Sequence, residues 1–391
     1  MKLTTSINSP THLKTSAMPK RAKWLCLTVS ALAMIATAQT ATAQDNDVDA
    51  FDGTINAECT GQTPIGATPT NSRTGNNVSG EAHCVGNSSG NNTISGRLQA
   101  VGLDSDGNAL SGQNNTVGDF SNFNLVSGED NTLGNSNNRN AVSGQLNTLG
   151  DNNYNNAVSG NNNTLGDDSY DNLVSGDNHT IDGNSDGNAV SGYNNTVGSL
   201  GDYNHVSGRD NTLGVLTDAN TVSGRGNTVG NSSEYNAVSG YGNSLGNSNN
   251  NNVVSGEGNS LGFFSTSNIV GGDSNTLGQS NDYNAVSGRQ NTQGDYNYNN
   301  TTSGYYNSLG NDSSSNAVSG MRNTLGIGNG RNAVSGTYNT LGERNYNNAV
   351  GGSSNTLGDY SSSNAVNGES NTVGNYNRSN DVIGTLSLIH I

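Results

Sequence analysis

The chain is poor in most of what builds a globular core or a catalytic centre. Only 30% of its 391 residues are hydrophobic and 5% aromatic, with 4 prolines, 3 cysteines and 15 lysines and arginines. Low hydropathy with a formal charge of −16 resembles a chain that cannot collapse, so any order has to come from pattern rather than composition. Five of the basic residues lie in the first 23 positions, which leaves ten against 31 acidic residues and a net charge of −21 downstream. That field repels phosphate backbones and anionic lipid, and argues against nucleic-acid or direct membrane partners. Histidine is equally scarce. His83, His179 and His205 have no partner at metal-ligand spacing, and no nucleophile, base and acid assemble anywhere in the sequence. The glycines lack the strand-to-helix setting and lysine of a phosphate loop. Asp119, Asp151 and Asp167 recur at one position, but Asn135 and Asn231 interrupt them, which argues against a calcium-bound roll. No enzyme activity, cofactor or metal is expected.

Long apolar runs are also missing. Trp24 to Ile35 is too short for a comfortable membrane span. Preceded by Lys20, Arg21 and Lys23 and followed by Ala41-Thr42-Ala43, it reads as part of a secretory signal over 1–44, with Met18 as an alternative start. Export predicts an oxidising compartment. Cys26 would leave with the signal, so Cys59 and Cys84 are a candidate disulfide, two free thiols being the alternative. Residues 45–75, with Pro64 and Pro69, fall outside the pattern described next and are expected to cap it. At the other end, 385–391 breaks the pattern in mid-coil. Leu386 to Ile391 reads as a translated sequencing-adapter remnant at a truncated end, the alternative being a short apolar cap.

What the chain has is a period. Asn-x-Val-Ser-Gly-x-x-Asn-Thr-Leu-Gly and five looser residues recur every 16 positions over 76–384, twenty times without insertion or deletion. A flexible Gly/Ser/Asn linker would share the composition but would not hold phase. Asn140 to Asn155 serves as the type coil. Alternation predicts a strand over Asn140-Ala141-Val142-Ser143-Gly144, with Asn140 and Val142 on one face. Gln145-Leu146 is a tight corner, Asn147-Thr148-Leu149-Gly150 a second strand with Asn147 and Leu149 inward, and 151–155 a wider corner. Two strands per 16 residues predict an all-β fold, a parallel two-sheet β-solenoid (β-roll) of about twenty coils. The inward aliphatic positions break only at Gln293 and Thr302. Asn140 and Asn147 are expected to stack as amide ladders between coils, and Gly144 and Gly150 to serve the corners.

Two outward features stand out. Ala141, Ser143, Ala157 and Ala317 typify a small-residue face on the first strand, flat enough for another copy to approach, so a homo-oligomer is expected. Tyr154, Tyr170, Tyr298 and Tyr346, in the wide corners among Asn, Ser and Asp, are candidate recognition residues or decoration of a tolerant loop. The abundant Asn-x-Ser/Thr triplets are by-products of the repeat.

The Asn-x-Val-x-Gly-x-x-Asn/Ser coil over Asn76 to Gly384 resembles the YadA-like head repeats of trimeric autotransporter adhesins. The resemblance implies a left-handed roll, a trimer, and adhesion to host, matrix or other cell surfaces from the bacterial outer membrane. Two departures are visible: the family's second strand aliphatic is replaced by the Ser143-type residue, and no neck, coiled-coil stalk or anchor follows. A surface or secreted adhesin is therefore the first expectation. A self-assembling, amyloid-like matrix fibre is the second. An ice-binding solenoid is the third, on the strength of a single threonine rank (Thr116, Thr132, Thr148, Thr164).

Overall fold

A computed structural model describes Thr63–Pro64, 75–86, 88–386 and Leu388–Ile389. Its described residues are all-β. Each coil contributes one strand to each of two parallel sheets, and the coils stack as a β-solenoid with a turn of about 16 residues. The first sheet runs from Asn77–Glu81 to Asp381–Thr385, the second from Cys84–Val85 to Leu388–Ile389. Register is strict. Ala141 pairs with Ala157, Val142 with Val158 and Leu149 with Leu165, so each residue sits under its equivalent one period on. The short strand Thr63–Pro64 adds to the second sheet, antiparallel to Cys84–Val85. Leu388–Ile389 continues the same ladder beside Thr372–Val373.

The physical logic lies in spacing. Coils one strand apart, about 4.8 Å, let backbone amides bond from coil to coil: Ala141 N–H donates to Asn156 O and Thr148 N–H to Asn163 O, both at 2.8 Å. Val142 and Leu149 are buried between the two sheets, as are their equivalents along the array. The same closeness dictates the glycines. Gly144 has φ +110°, and a Cβ there would stand 2.0 Å from Gly160 O of the next coil; one on Gly150 would stand 2.0 Å from Asp167 Oδ1. The Gly144 position has no room for a side chain, whereas at Gly150 the close atom is the end of a side chain and the equivalent position two coils on carries Asp182.

Strand limits differ slightly from the sequence reading. The first strand is Ala141–Gln145 and the second Thr148–Leu149, so Asn140 and Asn147 fall just outside. The reason is chemical. Their backbone amides donate to the side-chain oxygens of Asn124 and Asn131, at 3.0 and 3.1 Å, instead of to a ladder carbonyl. The five residues after Gly150 are also less loose than they read. Asn152 and Asn155 hold left-handed backbone at φ 60° and 59°, as Leu146 does at 57° in the tight corner. Between them Asn153 points inward and is buried. Isolated parallel bridges such as Asn138↔Tyr154 and Tyr154↔Tyr170 carry stacking into this corner.

Candidate recognition surfaces

The interior is committed to holding the coils together. Asn147 shows how. Its side-chain nitrogen lies 3.0 Å from Asn131 Oδ1 in the coil before, 3.0 Å from Ser143 O in its own, and 2.8 Å from Gly160 O in the coil after. Its oxygen accepts the Asn163 backbone amide at 3.1 Å. Asn140 repeats the device with Asn124 Oδ1 at 3.1 Å and Asn153 O at 2.9 Å. Asn153 belongs to a third inward polar column that sequence reasoning missed. Asn153 Nδ2 donates to Gly150 O at 3.0 Å and Asn153 Oδ1 accepts the Ser169 amide at 2.9 Å. The signal was present: from Ser89 to Asn377 that position is always Ser, Asn, Thr or Gly.

The wide-corner acids are used in the same way. Asp151 Oδ1 accepts the Asn135 amide at 2.6 Å, and Asn135 Oδ1 accepts the Asp119 amide at 2.9 Å. Aspartate and asparagine share the column because the job is acceptance, which both perform. Among the described residues no group of three or more His, Cys, Asp or Glu is placed to hold a metal ion. A neighbouring column stacks Asp186, Asp202 and Asp218, each accepting the amide of the coil before at 2.8 to 3.1 Å. Partial burial first, and then their mutual proximity, raises the Asp186 and Asp202 carboxyls above the usual range.

His179 stands in for asparagine in the second ladder. Its Nδ1 accepts the Asn195 amide at 3.2 Å and its Nε2 faces Ser175 O at 3.1 Å. That environment asks for the neutral ring, and burial lowers its pKa. His83 makes the equivalent contacts with Gln99 N and Ser79 O and is lowered for the same reason. Cys84 is disulfide-bonded. Cys59, proposed from the sequence as its partner, lies outside the described residues, as does the whole of 1–44.

Ala141, Ala157 and Ala317 share one rank on the outer face of the first sheet, with Ser143 in the next rank. Ser143 and Ala317 are exposed; Ala141 and Ala157 are half-buried. Larger apolar side chains interrupt the alanine rank, Ile269 at 59% exposure among them. Thr148 is exposed on the outer face of the second sheet, in a single threonine-rich rank.

The candidate tyrosines all occupy one position of the wide corner, but three of the four are engaged by neighbours. Arg139 lies over the Tyr154 ring at 5.2 Å and Arg331 over Tyr346 at 5.2 Å. Tyr298 meets Tyr283 edge-on at 5.5 Å, while Tyr170 is exposed. A second set, which the sequence reading passed over, lines the tight corner. Arg209 lies over Tyr193, Arg225 over Tyr241, and Arg322 over both Tyr306 and Tyr338.

No family model matches the chain, and no curated protein matches it. Among solved structures, a putative acetyltransferase from Desulfovibrio desulfuricans G20 aligns over 52% of this chain at 9% identity, with a TM-score of 0.16. The match spans 62% of that structure, less than two thirds of its length. A likeness of this size carries no argument about fold or function. Among the described residues, no helix is long and apolar enough to cross a membrane.

Proposed function

We propose that this chain is an exported, non-enzymatic, adhesin-like structural protein that binds host, matrix or other cell surfaces through its repeated outer positions. One observation carries the reading: the inward columns are consumed by coil-to-coil bonding, and variation in size and charge is delivered to exposed corners at regular spacing. Tyrosine and arginine on those corners are residue types enriched at recognition surfaces. The small-residue rank of Ala141, Ala157 and Ala317 supports self-association, and the resemblance to adhesin heads supports a trimer at the cell surface. The test is retention of the labelled, purified protein on epithelial cells, matrix-coated plates and bacterial lawns. Retention above an albumin control on one of them is expected; retention on none overturns the reading.

A matrix-fibre role draws on a separate feature, the continuous Asn ladders that also stabilise cross-β assemblies. Seeded, dye-positive fibre growth by the native protein is the outcome that would favour it.

A further inference from the structure

The arginines divide the array in two. Beyond Lys23 the chain has no lysine, so its cations are arginines. Residues 76–283 carry four arginines against twenty acidic residues, a net charge of −16, whereas 284–384 carry five against six, a net charge of −1. The acidic part of the array therefore gives way to a neutral one.

The arginines also differ in what they touch. Arg97 is bridged to Glu81 at 3.6 Å, Arg209 and Arg225 to Asp210 at 3.1 and 3.9 Å, and Arg289 to Asp273 at 3.1 Å. Among the described residues, Arg322, Arg331 and Arg344 have no carboxylate within 4.0 Å. Tyrosines hold them instead. Arg322 sits between Tyr306 and Tyr338, 5.5 and 5.3 Å from the ring centroids, and donates to the Tyr338 hydroxyl. Arg344 lies 5.5 Å from the Tyr360 ring and donates to its hydroxyl at 2.6 Å. These rings orient the guanidinium without neutralising it, and N–H donors remain for a ligand.

We propose that the tight corners of the coils over 300–347 bind a carboxylate-bearing polysaccharide, with Arg322 between Tyr306 and Tyr338 as the anchor. Arg331 and Arg344 lie in the wide corner, on the opposite edge of the solenoid. The inference rests on the adhesin-like reading and names its ligand class. A fixed, uncompensated guanidinium takes a carboxylate in paired N–H···O bonds. Tyr306, Arg322 and Tyr338 occupy one position in three successive coils, a rank at strand spacing of about 4.8 Å, along which exposed rings can stack on successive sugars. Charge chooses the place. A polyanion is repelled by the −16 segment and meets no such barrier on the neutral one. A neutral glycan would leave the free Arg322 guanidinium unused.

The experiment measures binding of the whole protein to polygalacturonate and to dextran, for wild type, Arg322→Gln, and Arg97→Gln, each checked for an unchanged melting midpoint. Wild type is expected to bind polygalacturonate in a salt-sensitive way and to ignore dextran. Arg322→Gln should bind at least about tenfold more weakly, and Arg97→Gln should match wild type. Equal binding to dextran, unaffected binding by Arg322→Gln, or an equal loss with Arg97→Gln overturns the proposal. So does a change in sedimentation mass of Arg322→Gln without polysaccharide, which would assign this arginine to contacts between copies. Retention on cells or matrix without polygalacturonate binding removes this site and leaves the adhesin-like reading intact. Polygalacturonate binding without retention on any biological surface does the reverse.

Discussion

Gln293 donates its side-chain amide to the Thr302 hydroxyl at 2.8 Å in the interior of the solenoid, where neighbouring coils place leucine and valine. The bond satisfies one end of the glutamine. Gln293 Oε1 is buried without a partner. The aliphatic column breaks here into two clusters, one ending at Val286 and the other beginning at Leu309.

Restoring the repeat at this break should stabilise the array. Gln293→Leu with Thr302→Val removes an unsatisfied acceptor and buries more apolar surface, a gain of about 1–3 kcal/mol. Chemical denaturation of the double variant checks it. A midpoint at or below wild type would show that the polar pair is compensated elsewhere.

Asn147→Ala should cost about 3 kcal/mol or more. It leaves Ser143 O, Gly160 O and the Asn163 amide short of a partner at once. Thr148→Ala, one residue away on the outer face, should change the midpoint by no more than about 0.5 kcal/mol. Comparable losses for the two would contradict the ladder account.

Leu146 is a large side chain in left-handed backbone, φ 57°, and is half exposed at 50%. Asparagine tolerates that conformation better. Leu146→Asn should therefore raise stability by about 0.5–1 kcal/mol in thermal melts, with Asn162, already asparagine at φ 55° one coil on, as the structural precedent.

Stability should fall on mild acidification because of the ladder histidines. His179 and His83 are held neutral, with pKa values below the ordinary one near 6.5. The unfolded chain then binds more protons than the folded one below that pH, so stability present at neutral pH is lost as pH falls through about 6.5 toward the folded values. Protonation also turns the His179 Nδ1 acceptor into a donor facing the Asn195 amide. Asp186 and Asp202 act in the opposite sense. Their raised pKa values make ionisation costly in the fold, and acidification toward the ordinary carboxyl range near 3.8 relieves that cost. Melting midpoints of wild type should decline between pH 7.5 and 5.5, and His83→Asn/His179→Asn should flatten the decline. An identical slope in the variant would place the sensitivity elsewhere.

Much of this molecule was legible as sequence because each coil meets the same neighbours. A residue forced into one environment twenty times leaves its chemistry printed in the column: aliphatic at Val142 and Leu149, amide at Asn140 and Asn147, glycine where Gly144 would strike the next coil. The Asn153 column escaped notice because serine, threonine and asparagine read as loop residues until the structure turns them inward. The tight-corner tyrosines and arginines escaped for another reason. Arg322 and Tyr338 are 16 residues apart, and their partnership exists only once the coil has closed.

Periodicity by itself determined the parallel ladder, its register and its two-strand coil, because a fixed repeat length admits one stacking that keeps every inward residue inward. The tertiary structure alone decided which polar groups are consumed by neighbouring coils and which arginines are left without a carboxylate. Hydrogen bonding and charge pairing depend on distances between coils, and a one-dimensional pattern does not contain them.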